Sequence, residues 1–226
     1  MTDEKRYEAV CSMLRAFDAA ANMDGVADMV IKKPQDWQYG NAFNTFYTDA
    51  AKLLIEARQN MDRKATGAGR LAAINRIYKS AAGNVRESLR GIYKSDGRWA
   101  ICDGYRFIRL NVKPDSIPEC AGLDLSKTIP QDAKDGEEVT LPGVAEIKAQ
   151  IAELKAKYGK GWKYQPVKAF DGWWCNPQYL LDMVQALPNG KAYRPKNYYS
   201  PLYYESEDGD ALLLPARHTE QEEKSA

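Results

Sequence analysis

Residues 176–187 read Asn-Pro-Gln-Tyr-Leu-Leu-Asp-Met-Val-Gln-Ala-Leu, and the fold of the chain can be worked out from this stretch. Asparagine is favoured at a helix N-cap and proline at the first helical position, so a helix is predicted to begin after Asn176. Its apolar residues recur at intervals of three and four, as on a helix with one buried face. Strand-like runs follow at 191–194, 199–205 and 211–215, separated by turn residues.

The same order of elements occurs once before in the chain. Residues 70–82 carry apolar residues at helical spacing and end at a Gly-Asn pair, which predicts a second helix. Short β-prone runs follow at 85–93, 98–102 and 105–111, and a further strand is predicted at 167–175, before the helix at Pro177. A helix followed by three strands, present twice, predicts a pseudo-symmetric α+β domain.

The remaining segments predict helices and connections. Apolar spacing predicts helices at 7–21, 43–59 and 144–158, whereas 112–142 is rich in Pro, Gly and Asp and predicts a long connection. We therefore predict three parts: a helical N-terminal region at 1–64, an α+β domain at 65–218 and a disordered polar tail at 219–226.

Composition excludes several classes of chemistry. The chain has 226 residues but one histidine, His218, in a polar segment. This composition argues against hydrolytic sites of the Ser-His-Asp or Cys-His type and against histidine-rich metal sites, because each needs histidines placed in a structured site. The four cysteines show no Cys-x-x-Cys spacing, which predicts reduced thiols rather than a zinc or redox motif. We predict no catalytic residues, no metal site and no cofactor.

Composition, hydropathy and the first residues of the chain predict its cellular compartment. Hydrophobic residues make up 44% of the chain and charged residues 28%, as in an ordinary globular protein. The sequence has no apolar run of about 18 residues, the length of a membrane helix, and its first residues do not resemble a signal peptide. We expect a cytoplasmic protein with no membrane partner.

Two stretches resemble the bacterial DNA sliding clamp, the beta subunit of DNA polymerase III. The first contains Leu-Arg-Gly-Ile at 89–92, Asp-Gly-Arg at 96–98 and Cys-Asp-Gly-Tyr-Arg-Phe at 102–107. It is similar to a hairpin and the Thr-Asp-Gly-His-Arg-Leu run of the clamp's middle domain. The second covers 176–217, which ends in Leu-Leu-Leu-Pro-Ala-Arg. It resembles the closing half of the clamp's last domain.

The resemblance implies a binding site for short apolar peptide motifs of replication or repair proteins. Apolar surface with arginine tips is what a peptide groove requires, because anchors bury in the pocket while guanidinium groups bind carbonyl or carboxylate oxygens. Turn and core demands alone would also explain these residue types. Mapped onto this chain, the implied peptide-binding residues are Cys102, Gly104, Tyr105, Arg106, Phe107, Leu214, Pro215, Ala216 and Arg217.

A basic stretch between residues 63 and 98 is a candidate site for contact with DNA phosphates. Arg70, Arg76 and Lys79 lie on the predicted helix at 70–82, and clamp helices face DNA phosphates through such side chains without reading sequence. A solvated charged face explains the same residues. The second helix is not basic on the corresponding face, and the net charge of the chain is only +1.

The sequence thus predicts a non-catalytic, sliding-clamp-like accessory protein of DNA replication or repair. It would dock partner peptides and contact duplex DNA through the helix at 70–82. An alternative is an interaction or decoy module with the same fold and no DNA contact. An enzyme with paired carboxylates, Asp103 and Asp182, is a third possibility. One clamp-type domain would need about six copies to encircle DNA, so a homo-oligomer is a further expectation.

Overall fold

A computed structural model describes residues 2–21, 25–37, 45–123, 129 and 132–217, so His218 and the predicted tail at 219–226 lie outside the described residues. The chain divides into two compact units. The first is Met1–Leu71 with Pro114–Pro118, and the second is Ala72–Lys113 with Glu119–Ala226. The division falls seven residues after the boundary predicted at 64/65 and adds a short later segment to the first unit.

The first unit is helical. It contains α1 (Asp3–Ala21), α2 (Val26–Lys32) and α3 (Thr45–Thr66), which pack against one another. The helix predicted at 43–59 therefore continues to Thr66. Its core contains a buried carboxylate, because Asp18 accepts hydrogen bonds from the Tyr47 hydroxyl and the Ala27 amide, both at 2.5 Å.

The segment Pro114–Pro118 is hydrogen-bonded to the rest of the first unit by Gln35, whose Nε2 donates to the Ser116 carbonyl, and by one carboxylate. Asp62 of α3 accepts hydrogen bonds from the backbone N–H groups of Asp115 at 2.9 Å and Ser116 at 2.7 Å. Two backbone donors on one carboxylate fix the segment with little side-chain entropy cost.

The second unit has the α+β class that the sequence predicts. The division between the units falls within α4 (Ala68–Ala82). The strands are β1 (Tyr93–Ser95), β2 (Arg98–Cys102), β3 (Arg106–Leu110), β4 (Glu138–Val139), β5 (Val167–Phe170), β6 (Trp173–Cys175), β7 (Lys191–Tyr193), β8 (Leu202–Ser206) and β9 (Gly209–Leu213). Two helices, α5 (Val144–Tyr158) and α6 (Pro177–Ala186), complete the elements, with a 3₁₀ helix at Gly159–Tyr164.

A helix followed by three strands occurs twice in the second unit, as α4-β1-β2-β3 and α6-β7-β8-β9. Seven strands form one sheet in the order β1-β2-β3-β9-β8-β7-β4, and β5 and β6 form a separate pair. The repeats meet where β3 and β9 pair antiparallel, with Ile108 opposite Ala211 at the centre of the register. On either side of this pair the strands follow in the same order, β3-β2-β1 on one side and β9-β8-β7 on the other.

The runs predicted at 199–205 and 211–215 are strands at Leu202–Ser206 and Gly209–Leu213, and two other predicted strands differ more. Residues 85–93 contain a 3₁₀ turn at Glu87–Leu89, and only Tyr93 joins the sheet. The turn is fixed by local bonds, from the Leu89 amide to the Arg86 carbonyl and from the Arg90 amide to the Glu87 carbonyl. The predicted strand 167–175 is a hairpin, because Gly172 has a φ of +77°, which glycine adopts readily.

Candidate functional site

The two sequence runs that resemble a clamp meet at one groove in the second unit. The groove has a volume of about 760 Å³, within the range of 300–1,000 Å³ that is usual for binding pockets. Six of the nine predicted peptide-binding residues line it: Tyr105, Arg106, Leu214, Pro215, Ala216 and Arg217.

Backbone hydrogen bonds hold the second run in place. The Leu214 amide donates to the Tyr105 carbonyl at 3.0 Å, and the Ala216 amide donates to the Trp174 carbonyl at 2.8 Å. The run therefore continues past the end of β9 between the start of β3 and the β5-β6 hairpin.

The other three predicted residues do not line the groove. Phe107 is only 4% exposed and packs in a core with Tyr93, Tyr203 and Leu212, because strand residues alternate between faces and Arg106 takes the groove side. Cys102 packs against that same core. Burial raises the pKa of its thiol, which makes it a poor nucleophile.

Gly104 belongs to a turn that shapes the entrance of β3. Its φ is +91°, and Asp103 Oδ1 accepts from the amides of Tyr105 at 2.9 Å and Arg106 at 2.7 Å. The Asp-Gly pair therefore has the structural role that turn chemistry alone would give it. The turn also places Tyr105, which is 57% exposed, on the groove.

One wall was not predicted from the sequence. It consists of Trp162–Pro166, which comprises the last three residues of the 3₁₀ helix after α5 and the two residues that follow. Asn176 fixes this wall. Its Oδ1 caps α6 by accepting from the Gln178 amide at 2.9 Å, while its Nδ2 donates to the Lys163 carbonyl at 2.9 Å. The Asn-Pro cap was visible in the sequence, but its second bond depends on tertiary structure.

A charged network forms the floor of the groove. Asp182 of α6 is 1% exposed and accepts from Arg76 Nε at 2.6 Å, Gln178 Nε2 at 2.9 Å and Arg106 Nη1 at 2.5 Å. Arg106 also binds Asp103 Oδ2 through Nε at 2.9 Å and Nη2 at 2.5 Å. A buried charge is tolerated only with such partners.

Tyr179 lies over this network. The guanidinium carbon of Arg106 is 4.3 Å from the centre of its ring, and the Tyr105 ring is 5.5 Å from it. Burial, with the negative charge of Asp103 as a further cause, raises the pKa of the Tyr179 phenol. The ring therefore remains neutral near pH 7 and supplies an aromatic surface on the groove.

The three predicted DNA-binding residues differ in their surroundings. Arg76 is not a free cation, because it binds Asp182 and also donates to Gln185 Oε1 at 2.8 Å. Lys79 is exposed on α4. Arg70 lies on the part of α4 that belongs to the first unit, and its side chain or backbone has an interaction of its own. The structure thus leaves Lys79 as the exposed cation among the α4 residues of the second unit that were predicted to bind DNA.

The carboxylates Asp103 and Asp182, considered for acid-base or metal chemistry, are both bound by one guanidinium. Arg106 bridges them, so their negative charges are compensated within the protein. The described residues contain no group of three or more His, Cys, Asp or Glu side chains arranged to hold a metal ion. All four cysteines are free thiols. None of the described helices is long and apolar enough to cross a membrane.

Comparison with known proteins gives no relative. No protein-family model, no curated protein and no solved structure matches the chain.

Proposed function

We propose that this protein is a non-catalytic, sliding-clamp-like accessory factor of DNA replication or repair that docks short peptide segments of partner proteins in the groove. The observation that carries the proposal is the meeting of the runs 102–107 and 212–217 at one groove. The two runs lie far apart in sequence, and the resemblance to clamps assigns both to the same peptide site.

The character of the groove supports a peptide rather than a small metabolite. Three of the large apolar side chains that are exposed on the described surface line it: Tyr105 is 57% exposed, Tyr164 86% and Leu214 41%. Exposed apolar groups gathered in a concave site are typical of protein-binding surfaces. A peptide can bury its anchors against them and form hydrogen bonds to the polar rim.

A titration tests the docking function. The probe is a fluorescein-labelled peptide with the short apolar motif that bacterial clamps bind. Its binding is measured by fluorescence polarisation. Leu214→Ser should weaken binding about tenfold or more, because a buried anchor contact of an interface is worth about 1–2 kcal/mol. Val112→Ser changes an exposed apolar residue that does not line the groove, and it should bind like the wild type. Equal affinity of all three proteins would contradict the assignment.

The alternative is an interaction module with the same groove and no DNA contact. The ion pair of Arg76 with Asp182 favours it, because a compensated arginine contributes little to phosphate binding. Duplex DNA binding measured between 50 and 500 mM salt discriminates the two. A linear fall of log affinity with log salt, with a slope smaller by about 1 in Lys79→Gln, supports DNA contact along α4. No measurable affinity at low salt supports the alternative.

A further inference from the structure

The walls of the groove carry an excess of positive charge. Basic side chains on the lining are Arg76, Arg106, Lys163 and Arg217, and Asp182 is the one acidic residue among the described lining residues. Asp182 is 1% exposed and its two oxygens accept three side-chain donors, so its charge is used inside the wall. Arg106, also buried, is compensated by Asp182 and Asp103.

The remaining cations face an occupant of the groove. Lys163 and Arg217 have exposed side chains on different walls. Arg76 is not among them, because it is paired with Asp182 and also donates to Gln185.

We propose that the groove selects peptide segments in which carboxylate side chains flank the apolar anchors. This inference rests on the proposed docking function and names the chemistry of its partner. The anchors contact Tyr105, Tyr164 and Leu214, and the carboxylates pair with Lys163 and Arg217. Charge complementarity of this kind sets the choice of partner and the rate of association more than the total affinity.

The apolar wall distinguishes a peptide from a nucleic acid. Duplex DNA would also be attracted to Lys163 and Arg217, but its phosphates leave no partner for an exposed leucine and proline. Leu214, Pro215 and Ala216 directly precede Arg217 and line the groove with it, so a ligand that reaches this arginine along the run passes over apolar surface. An acidic peptide with apolar anchors satisfies both kinds of surface.

The test uses two fluorescein-labelled octapeptides with the same leucine and phenylalanine anchors. One has two glutamates beside the anchors, and the other has two glutamines. The full chain should bind the glutamate peptide roughly tenfold more tightly at 50 mM salt, as two exposed ion pairs allow, and the difference should shrink at 500 mM. Lys163→Gln and Arg217→Gln should each reduce that preference about threefold or more.

Lys148→Gln is the matched control, since it removes an exposed positive charge on α5 that does not line the groove. It should leave the preference unchanged. Equal affinity for both peptides would overturn the selectivity and leave the docking function standing, whereas binding of neither peptide would overturn both. A further outcome is that a duplex oligonucleotide displaces the glutamate peptide and that Arg217→Gln lowers the affinity for the duplex as much as the affinity for the peptide. That result would assign these cations to phosphate contacts and also overturn the inference.

Discussion

Arg76 of α4 and Asp182 of α6 form an ion pair, with Nε 2.6 Å from Oδ1, that joins the helices of the two repeats. The other oxygen of Asp182 binds Arg106 at the start of β3. One buried carboxylate therefore connects both helices to the central sheet. The same carboxylate forms part of the groove floor, so the packing of the repeats and the shape of the groove depend on one side chain.

Asp182→Asn should destabilise the second unit strongly. The substitution leaves the buried Arg106 with only Asp103 as a charged partner, and removal of one member of a buried ion pair typically costs about 3–5 kcal/mol. Urea unfolding followed by circular dichroism measures the loss. Asp28→Asn is the control, because the pair of Asp28 with Arg15 is exposed on both sides and should contribute about 0–1 kcal/mol. Similar losses for the two variants would contradict a structural role for Asp182.

Phe107 and Leu214 should separate stability from binding. Phe107→Ala opens a cavity in the core of the second unit and should cost about 3–5 kcal/mol in the free energy of unfolding. Leu214→Ala removes a side chain that is 41% exposed on the groove, so it should cost less than about 1.5 kcal/mol and still weaken peptide binding. Unfolding and fluorescence titrations on the same samples give both quantities. A Phe107→Ala protein of wild-type stability would show that the core assignment is incorrect.

The repeat of a helix and three strands could be predicted because each step has a local signal. The Asn176 cap, the helical spacing of α4 and the turn residues before β2 and β3 all act within a few residues. Two features could not be predicted in the same way: the 3₁₀ turn at Glu87–Leu89 and β4, the edge strand that pairs with β7. β4 has two residues, and its pairing with β7 is a contact distant in sequence.

Strand alternation and the two clamp-like runs predicted part of the candidate site. The buried ion pairs beneath the groove could not be predicted from the sequence. Alternation explains Arg106, which faces the groove, and also Phe107, which does not. The pairing of Arg76 with Asp182 spans 106 positions, so no local pattern could show that a predicted DNA-facing arginine is already compensated. The Trp162–Pro166 wall likewise has no signal near the two runs that resemble a clamp.

Asn176 should affect both α6 and the neighbouring wall. Asn176→Ala removes the cap of α6 and the bond to the Lys163 carbonyl, and should cost about 1–2 kcal/mol. Asn176→Ser keeps an oxygen that can cap the helix but removes Nδ2, the group that donates to the Lys163 carbonyl. The serine variant should therefore retain most of the stability and still bind the groove peptide more weakly. Equal peptide affinity for wild type and both variants would show that this bond does not position the wall.

Tyr47→Phe should change how the stability of the first unit depends on pH. Burial and the hydrogen bond to Asp18 raise the pKa of Tyr47 to about 12, from 10.0 in an unfolded chain. The unfolded state therefore loses this proton first as the pH rises, and the stabilisation by the phenol is complete below pH 10 and lost between pH 10 and 12. At neutral pH the variant should be less stable by about 1.5–3 kcal/mol, because a hydrogen bond to a charged group is removed.

The difference in unfolding free energy between wild type and Tyr47→Phe should shrink as the pH rises from 10 to 12. Urea titrations followed by circular dichroism at 222 nm give this difference at each pH, and comparison of two proteins cancels the titration of the other tyrosines. Tyr164→Phe is the control, because that side chain is 86% exposed and its hydroxyl should contribute little at any pH in this range. A constant difference between wild type and Tyr47→Phe would mean that folding does not raise the pKa of the Tyr47 phenol.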